Sequence, residues 1–253
     1  MKQLDLTFET KCWENDWQLM AYTNHLQQMI ENCSVDFQRK VLWINNVKRL
    51  ADVKKSLSHL IEAEIIDDIL VVADYIDKAL SEYKIDKDSF KGGYNYSSEE
   101  LAGIYACKTK YLLHFSSDSY IPHEYKTAKW IEAAIDIMEN NPEIVVANPT
   151  WNRKWNEAKK ESFSSIDDFY IGYGFSDQCY LINTELFKRP IYNFHHEASD
   201  RYPSYGGELF EKRVDSYMRT HNLKRITSKT VSYKSKNITK LQYLFEKYGL
   251  KKC

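Results

Sequence analysis

The stretch TKYLLHFSSDSYIP, residues 109–122, ends an apolar run in a cluster of small polar residues. A buried strand needs only its Leu, Phe and Tyr side chains, so Ser116, Ser117 and Asp118 require another explanation. One carboxylate at the end of a strand can hold a divalent cation that takes its remaining oxygens from water and a diphosphate. The pattern predicts a ligand-binding loop in which Asp118 is the metal ligand, flanked by Ser116 and Ser117.

Strands that alternate with helices must position this loop. The sequence predicts buried strands at 4–10, 39–47, 67–74, 109–117 and 143–151, with helical apolar spacing between them. Ser97 or Ser98 is the expected N-cap of the helix that precedes the quoted strand. This alternation predicts an α/β fold with a mostly parallel central sheet flanked by helices. No linker or repeat interrupts residues 1–253, which predicts a single domain.

Ligands of an open parallel sheet bind outside the carboxyl ends of its strands. Besides 116–119, three loops lie at such predicted ends, after Thr10, after Asn46 and after Asp74. The sequence therefore predicts that these loops meet at one edge of the sheet and form the binding site there.

Composition excludes several classes of partner. Lys and Arg total 35 against 36 for Asp and Glu, so no bulk positive field favours a nucleic acid or an anionic membrane. No run of eighteen apolar residues and no signal-peptide profile is present, which predicts a cytoplasmic protein and allows only peripheral membrane contact. Five scattered cysteines favour reduced, buried thiols over disulfides or a zinc site.

Neither a G-x-G-x-x-G motif after the first strand nor a G-x-x-x-x-G-K-[ST] motif occurs, so dinucleotide-binding and P-loop classes are not supported. Three segments instead resemble the inverting, family-two-like GT-A glycosyltransferases. YNYSSEELAGIYACKTKYLLHFSSDSYIP is similar to their helix, buried strand and D-x-D metal loop, and AIDIMENNPEIVVANP follows at the expected distance. SYGGELFEKR is similar to the acidic helix start on their acceptor side. The resemblance covers most of the chain as a pattern.

The resemblance implies a GT-A-like domain with a nucleotide-sugar-binding half at 1–122 and an acceptor-binding half at 123–253. It implies that Asp118 holds Mn²⁺ or Mg²⁺, although Ser116 stands where the D-x-D loop has its first aspartate. It also implies nucleotide contacts in the loops after the first three strands, from Thr7, Glu9, Asn45, Asn46 and Asp74. A turn at Asn45 and Asn46 and a helix cap at Asp74 are equally good explanations of those residues.

Glu208 is the first candidate for the catalytic base. In YGGELFEKR two glycines allow a close backbone approach, and Glu208 then opens a helix where its carboxylate could take a proton from an acceptor hydroxyl. An ordinary capping carboxylate, worth about 0.3 to 1 kcal/mol, explains the same pattern. Glu211, one turn further, is the second candidate, although its neighbours Lys212 and Arg213 also suit a solvated helix face.

The second half of the chain offers candidates for contacts with the acceptor and the leaving group. Aromatic faces stack on sugar rings, so Trp151 is predicted to form the acceptor wall, together with Trp155, Tyr170 and Tyr173. Lys234, with Lys236, could neutralise a leaving diphosphate, and a solvated charge run explains these lysines equally well.

The sequence thus predicts metal-assisted sugar transfer from a nucleotide-diphosphate sugar to a hydroxyl of a glycan, glycolipid or protein-linked glycan, and the resemblance implies that the transfer occurs with inversion. A sugar-phosphate nucleotidyltransferase is the first alternative, but TFETKCWENDW lacks the Gly-rich, basic loop that such an enzyme needs. A non-catalytic carbohydrate- or nucleotide-binding protein is the second alternative, which Ser116 in the metal loop favours.

Overall fold

The structure is a computed structural model that describes residues 4–203 and 208–235. In these residues the strands are β1 Leu4–Cys12, β2 Phe37–Ile44, β3 Asp68–Val71, β4 Tyr111–Phe115, β5 Ser119–Tyr120, β6 Ile144–Trp151, β7 Ser162–Ile166, β8 Phe169–Gly172, β9 Cys179–Asn183 and β10 Lys224–Ser235. The α-helices are α1 Trp17–Tyr22, α2 His25–Glu31, α3 Leu50–Leu57, α4 His59–Glu62, α5 Ile76–Glu82, α6 Tyr94–Ala106, α7 Trp130–Asn140, α8 Trp155–Lys160, α9 Thr184–Phe187 and α10 Phe210–Thr220.

One sheet runs through the described part of the chain in the order β3-β2-β1-β4-β9-β6-β10-β8-β7, and the short β5 pairs with β10. Strands β3, β2, β1 and β4 are parallel to one another. Strand β9 is antiparallel to both β4 and β6, and β10 is again parallel to β6. The predicted α/β fold with a mostly parallel sheet is confirmed, and the carboxyl ends of β1, β2, β4, β6 and β10 share one edge.

Both faces of the sheet are covered, because alternate side chains of each strand enter different halves of the core. Leu6 and Phe8 of β1 pack in the cluster under α1, α2 and α7, whereas Trp43 of β2 packs in the cluster with α5 and α6. Thr7 and Glu9 of β1 point to this second face and are buried there.

Several predicted boundaries are corrected by the structure. The third strand ends at Val71, so Asp74 lies in a 3₁₀ turn rather than at a strand end. Helix α6 begins at Tyr94 with Gly93 as its N-cap, so neither Ser97 nor Ser98 caps it. Both serines are buried inside the helix, because its polar side packs against the sheet instead of facing water.

No helix in the described ranges is both long and apolar enough to cross a bilayer.

Candidate functional site

A cavity of about 1080 Å³ opens along the carboxyl edge of the sheet. The predicted site residues that line it are Asn45, Asn46, Ser116, Ser117, Asp118, Trp151 and Glu211. They come from the ends of β2, β4 and β6 and from the first turn of α10. The strand-end rule therefore identified the edge at which the cavity forms.

Eight residues predicted for the site do not line this cavity: Thr7, Glu9, Asp74, Trp155, Tyr170, Tyr173, Glu208 and Lys234. The hydroxyl of Thr7 is buried against that of Thr109, with 2.7 Å between the two oxygens. Lys234 lies within β10 and pairs with Tyr120 of β5, while Lys236 lies outside the described residues. Strand β1 continues to Cys12. Lys11 lies on the same face of β1 as Thr7 and Glu9 but closer to its carboxyl end, and it is the residue of this face that lines the cavity.

Asp118 occupies the turn between β4 and β5 and is half-buried. The Ser116 hydroxyl donates a hydrogen bond to Asp118 Oδ1 at 3.1 Å, and the Ser235 hydroxyl donates one to Oδ2 at 3.2 Å. The Ser116 backbone N–H donates to the Gln178 carbonyl at 2.9 Å, which ties the turn to the loop before β9. The carboxylate is thus held in place at the cavity wall, where it can serve as a metal ligand.

Asp16 joins the loop after β1 to the Asp118 turn. Its Oδ1 accepts a hydrogen bond from the Trp13 backbone N–H at 2.7 Å, and its Oδ2 accepts one from the Ser117 hydroxyl at 2.5 Å. Burial raises the pKa of Asp16 to about 6. A ring nitrogen of His25 also lies 2.9 Å from the Ser117 carbonyl oxygen. The two loops that flank the cavity are therefore connected.

The two candidate bases differ in where their carboxyl groups lie. Glu208 lies outside the cavity, with its carboxylate 3.2 Å from the Lys212 ammonium and 3.7 Å from that of Lys91. Glu211 lines the cavity, and its pKa is raised to about 9, chiefly by burial and then by the charge of Asp177. The helix starts at Phe210, later than the sequence suggested, which puts the second candidate in the first turn.

Three carboxyl groups line this part of the cavity, and they determine whether a cation can bind there. Asp118, Asp177 and Glu211 all line it, and burial raises the pKa of Asp177 with a further contribution from Asp118. A divalent cation would relieve this repulsion, and oxygen ligands are those that Mg²⁺ and Mn²⁺ prefer. Asp118 therefore offers one carboxylate to such an ion, whose remaining ligands would be water and diphosphate oxygens.

Lys11 is a cation of the cavity floor that the sequence analysis missed. Its ammonium contacts the Glu100 carboxylate and lies 3.4 Å from that of Glu99, and both glutamates are fully buried in α6. A signal was present in the sequence: polar residues alternate at Asp5, Thr7, Glu9 and Lys11, and the residues between them are apolar except for Thr10.

A second acidic cluster lies behind Lys11. Ligand atoms of Glu9, Glu99 and His114 lie within 4.8 Å of one another, and all three side chains are buried. Burial raises the pKa of Glu9 and lowers that of His114, and it raises the pKa of Glu99 to about 8, which favours neutral groups at pH 7. None of the three lines the large cavity, so a bound nucleotide cannot complete the coordination of an ion there.

Two exposed aromatic side chains stand at the end of the cavity formed by the loops after β1 and β2, and sequence reasoning did not single them out. Trp13 follows β1 with 47% of its surface exposed, and Tyr96 is 59% exposed in the first turn of α6. A smaller pocket of about 400 Å³ adjoins this end and shares Asn45 and Asn46 with the large cavity. Flat rings stack on such side chains, so this end suits a nucleobase.

No protein-family model matches the sequence, and no curated protein matches it either. Solved structures do match. A crystal structure of GalNAc-T7 with UDP, GalNAc and Mn²⁺ aligns with a TM-score of 0.54 at 9% identity, covering 92% of this chain and 44% of that one. A crystal structure described as a mycobacterial protein aligns with a TM-score of 0.50 at 8% identity, covering 99% and 76% of the two chains. Glucosyl-3-phosphoglycerate synthase from Mycobacterium tuberculosis aligns with a TM-score of 0.47 at 8% identity over 99% and 82%.

The order of the strands and the GalNAc-T7 alignment together define the class of fold. The chain has the GT-A glycosyltransferase fold, as the resemblance implied. It spans less than half of the GalNAc-T7 chain that it matches.

Proposed function

We propose that the protein is a glycosyltransferase that uses a nucleotide-diphosphate sugar and a divalent cation. The observation that carries the proposal is that Asp118 and Glu211 line one cavity at the carboxyl edge of a GT-A sheet. A metal ligand and a base are the two protein groups that metal-assisted sugar transfer requires. The bound Mn²⁺ and UDP of the GalNAc-T7 structure support the same class of donor.

The donor occupies the half of the cavity built on β1, β2 and β4. Asn45 and Asn46 offer hydrogen bonds to the base or ribose, and the exposed ring of Trp13 covers the base. Asp118 holds Mn²⁺ or Mg²⁺, and the ion, when bound, offsets the negative charge of the leaving nucleotide. Ser116 supplies a hydroxyl where a second carboxylate is absent and also orients Asp118 through its hydrogen bond.

Glu211 acts on the acceptor. In its ionised form the carboxylate takes the proton of the acceptor hydroxyl, whose oxygen bonds to the anomeric carbon while the bond to the diphosphate oxygen breaks. The backbone N–H of Asp177 acts against the rise in the pKa of Glu211 and so favours its ionised form. Direct displacement of this kind inverts the anomeric configuration. Trp151 provides an aromatic wall for a sugar acceptor, which we propose is a glycan, glycolipid or protein-linked glycan met in the cytoplasm.

Thermal unfolding with nucleotide diphosphates and nucleotide sugars tests the proposal. A ligand at 100 times its dissociation constant stabilises a protein by about 2.7 kcal/mol, and we expect such a shift for one nucleotide only when Mn²⁺ is present. Asp118→Asn should remove the Mn²⁺-dependent part of the shift, whereas Asp136→Asn on the exposed face of α7 should retain it. An equal shift in Asp118→Asn would remove Asp118 from the metal site. Binding without hydrolysis or transfer of any nucleotide sugar would favour a non-catalytic binding protein.

The pH dependence of transfer provides a separate prediction. Glu211 must be ionised to accept a proton, so kcat/KM should rise about tenfold per pH unit up to its pKa of about 9. Asp177→Asn removes a neighbouring negative charge, which lowers the pKa of Glu211, so the rising limb should move to lower pH. Asp167→Asn, in the exposed turn between β7 and β8, is the matched control. Identical profiles for the Asp177 variant and the control would contradict the assignment of the limb to Glu211.

A further inference from the structure

Two arginines come together at the end of the cavity farthest from the nucleotide side. Arg225 of β10 and Arg201 of the turn before α10 both line it. An ideal Cβ at Gly174 would lie 2.8 Å from Arg201 Nη2 and 2.9 Å from Arg225 Nη1, so the two guanidinium groups are close neighbours. Gly174 has a φ of +116°, a conformation that favours glycine, and the absence of a side chain leaves room for both groups.

The two guanidinium groups share one ion-paired carboxylate, that of Glu161. Glu161 Oε2 accepts from Arg225 Nη2 at 3.0 Å, and Glu161 Oε1 lies 3.9 Å from Arg201 Nη1. One carboxylate thus faces two guanidinium groups, which remain charged at every relevant pH. Arg225 is 5% exposed, and its Nε has no hydrogen-bond partner in the part of the chain that the structure describes. The Arg201 side chain is 43% exposed, so its N–H groups are the ones that a ligand in the cavity can reach.

Aromatic rings fix the two guanidinium groups in place. The Arg225 guanidinium carbon lies 5.9 Å from the centre of the Trp151 ring, and that of Arg201 lies 5.4 Å from the Tyr202 ring. Tyr202 is itself anchored, because its hydroxyl bonds both the N–H and the carbonyl of Phe175 at 2.7 and 2.8 Å. Arginines held in this way suit planar or tetrahedral oxyanions, which they bind through paired N–H groups.

The pair lies on a different strand from the loops predicted to contact the nucleotide base. Arg225 is on β10, which is four strands from β1 in the sheet order. Glu211 is on the same side as the arginines, since the charge of Arg201 acts on its carboxyl group. An anion bound by the pair would therefore lie beside the group that takes the acceptor proton.

We propose that Arg201 and Arg225 form an anion subsite that selects acceptors bearing a phosphate or a carboxylate. The inference rests on the proposed glycosyl transfer for its biological meaning, but the subsite can be tested without it. The anion fixes one end of the acceptor at the arginines, so that a hydroxyl of the same molecule lies at Glu211. A neutral sugar lacks this contact and is used poorly.

Calorimetric titration of inorganic phosphate and of acetate tests the subsite directly. The protein is first saturated with UDP and Mn²⁺, so that the donor site is filled. We expect phosphate to bind, and Arg201→Gln and Arg225→Gln each to weaken its binding by about 10-fold or more, as for the loss of a hydrogen bond to a charged group. Arg189→Gln, which loses a surface ion pair with Glu185 outside the cavity, is the control and should bind phosphate normally. Equal phosphate affinity in all four proteins would overturn the proposal.

Sugar transfer to matched acceptors distinguishes whether the subsite recognises a phosphate or a carboxylate. The acceptors are methyl glucoside, glucuronate and glucose 6-phosphate, and the readout is the ratio of kcat/KM between each anionic acceptor and the neutral one. This ratio should exceed 10 for the unmodified protein and for Arg189→Gln, and it should fall about 10-fold in Arg201→Gln, which is the half-exposed and structurally safer variant. A ratio near one throughout would overturn the proposal.

A matching loss of UDP affinity in Arg201→Gln would instead assign the arginines to the donor diphosphate. Phosphate binding without transfer of any sugar would leave the subsite standing and contradict the proposed function.

Discussion

Glu211→Gln should lower the turnover of sugar transfer by roughly 10² to 10⁴, with the affinity for the nucleotide donor nearly intact. The substitution retains the shape of the side chain and an oxygen that can accept from the Asp177 N–H, but an amide cannot take the proton of an acceptor hydroxyl. Turnover, donor affinity and melting temperature should be measured on the same preparation, so that a loss of rate is not confused with a loss of folded protein.

Glu208→Gln is the matched control for this variant. Glu208 stands three residues earlier, outside the cavity and paired with Lys212 and Lys91, so its loss should leave turnover within a few-fold. The reverse result, a large loss of turnover in Glu208→Gln and near-normal turnover in Glu211→Gln, would identify Glu208 as the base. Near-normal turnover in both variants would exclude a carboxylate base on this helix start.

Lys11→Met should destabilise the folded protein by about 3 to 5 kcal/mol at pH 8. Glu99 and Glu100 are fully buried, and the Lys11 ammonium is the cation that both carboxylates contact. Methionine retains much of the apolar stem but leaves the two carboxyl groups without a counter-charge. Urea denaturation of both proteins measures the difference in the free energy of unfolding.

The loss of unfolding free energy in Lys11→Met should depend on pH, and the pKa values of Glu99 and Glu100 set the direction of that dependence. Burial already raises the pKa of Glu99 to about 8 and raises that of Glu100, and removal of Lys11 must raise both further. The folded variant therefore binds more protons than its unfolded chain above about pH 4.5, and its stability falls as the pH rises from there. At pH 5 the penalty should be much smaller, and the triple variant with Glu99→Gln and Glu100→Gln should lose most of the pH dependence. A penalty that is equal at pH 5 and pH 8 would contradict this account.

The sequence predicted the edge of the sheet that carries the site, because strand ends are visible as the points where apolar runs stop. Asp118 follows such a run directly, and Asn45 and Asn46 follow another, so their place in the cavity required no knowledge of tertiary packing. The prediction that Asp74 ends the third strand was wrong, because the apolar pattern continues past Val71, where the backbone has already turned into a 3₁₀ helix.

The remaining site residues could not be predicted, since distant contacts bring them into place. Glu99 and Glu100 have the pattern of a solvated first helical turn, and only the cation on β1 makes their burial tolerable. Arg201 and Arg225 are 24 positions apart and meet because the segment with Gly174 passes between them. The local periodicity of apolar residues does not predict such a long-range contact.

The position of β10 also governs how the chain can fold during synthesis. Strands β3, β2, β1 and β4 are all complete by Phe115 and can assemble early, but β6 touches β9 only around Val146 and Ala147 and takes its long partner from β10. About 80 residues separate Ile144 from Lys224, which is on the order of ten seconds of synthesis at roughly 5 to 20 residues per second. Until then β6 presents an open edge and the β7–β8 hairpin has no neighbour, so the nascent second half of the chain is the part most exposed to strand pairing with other chains.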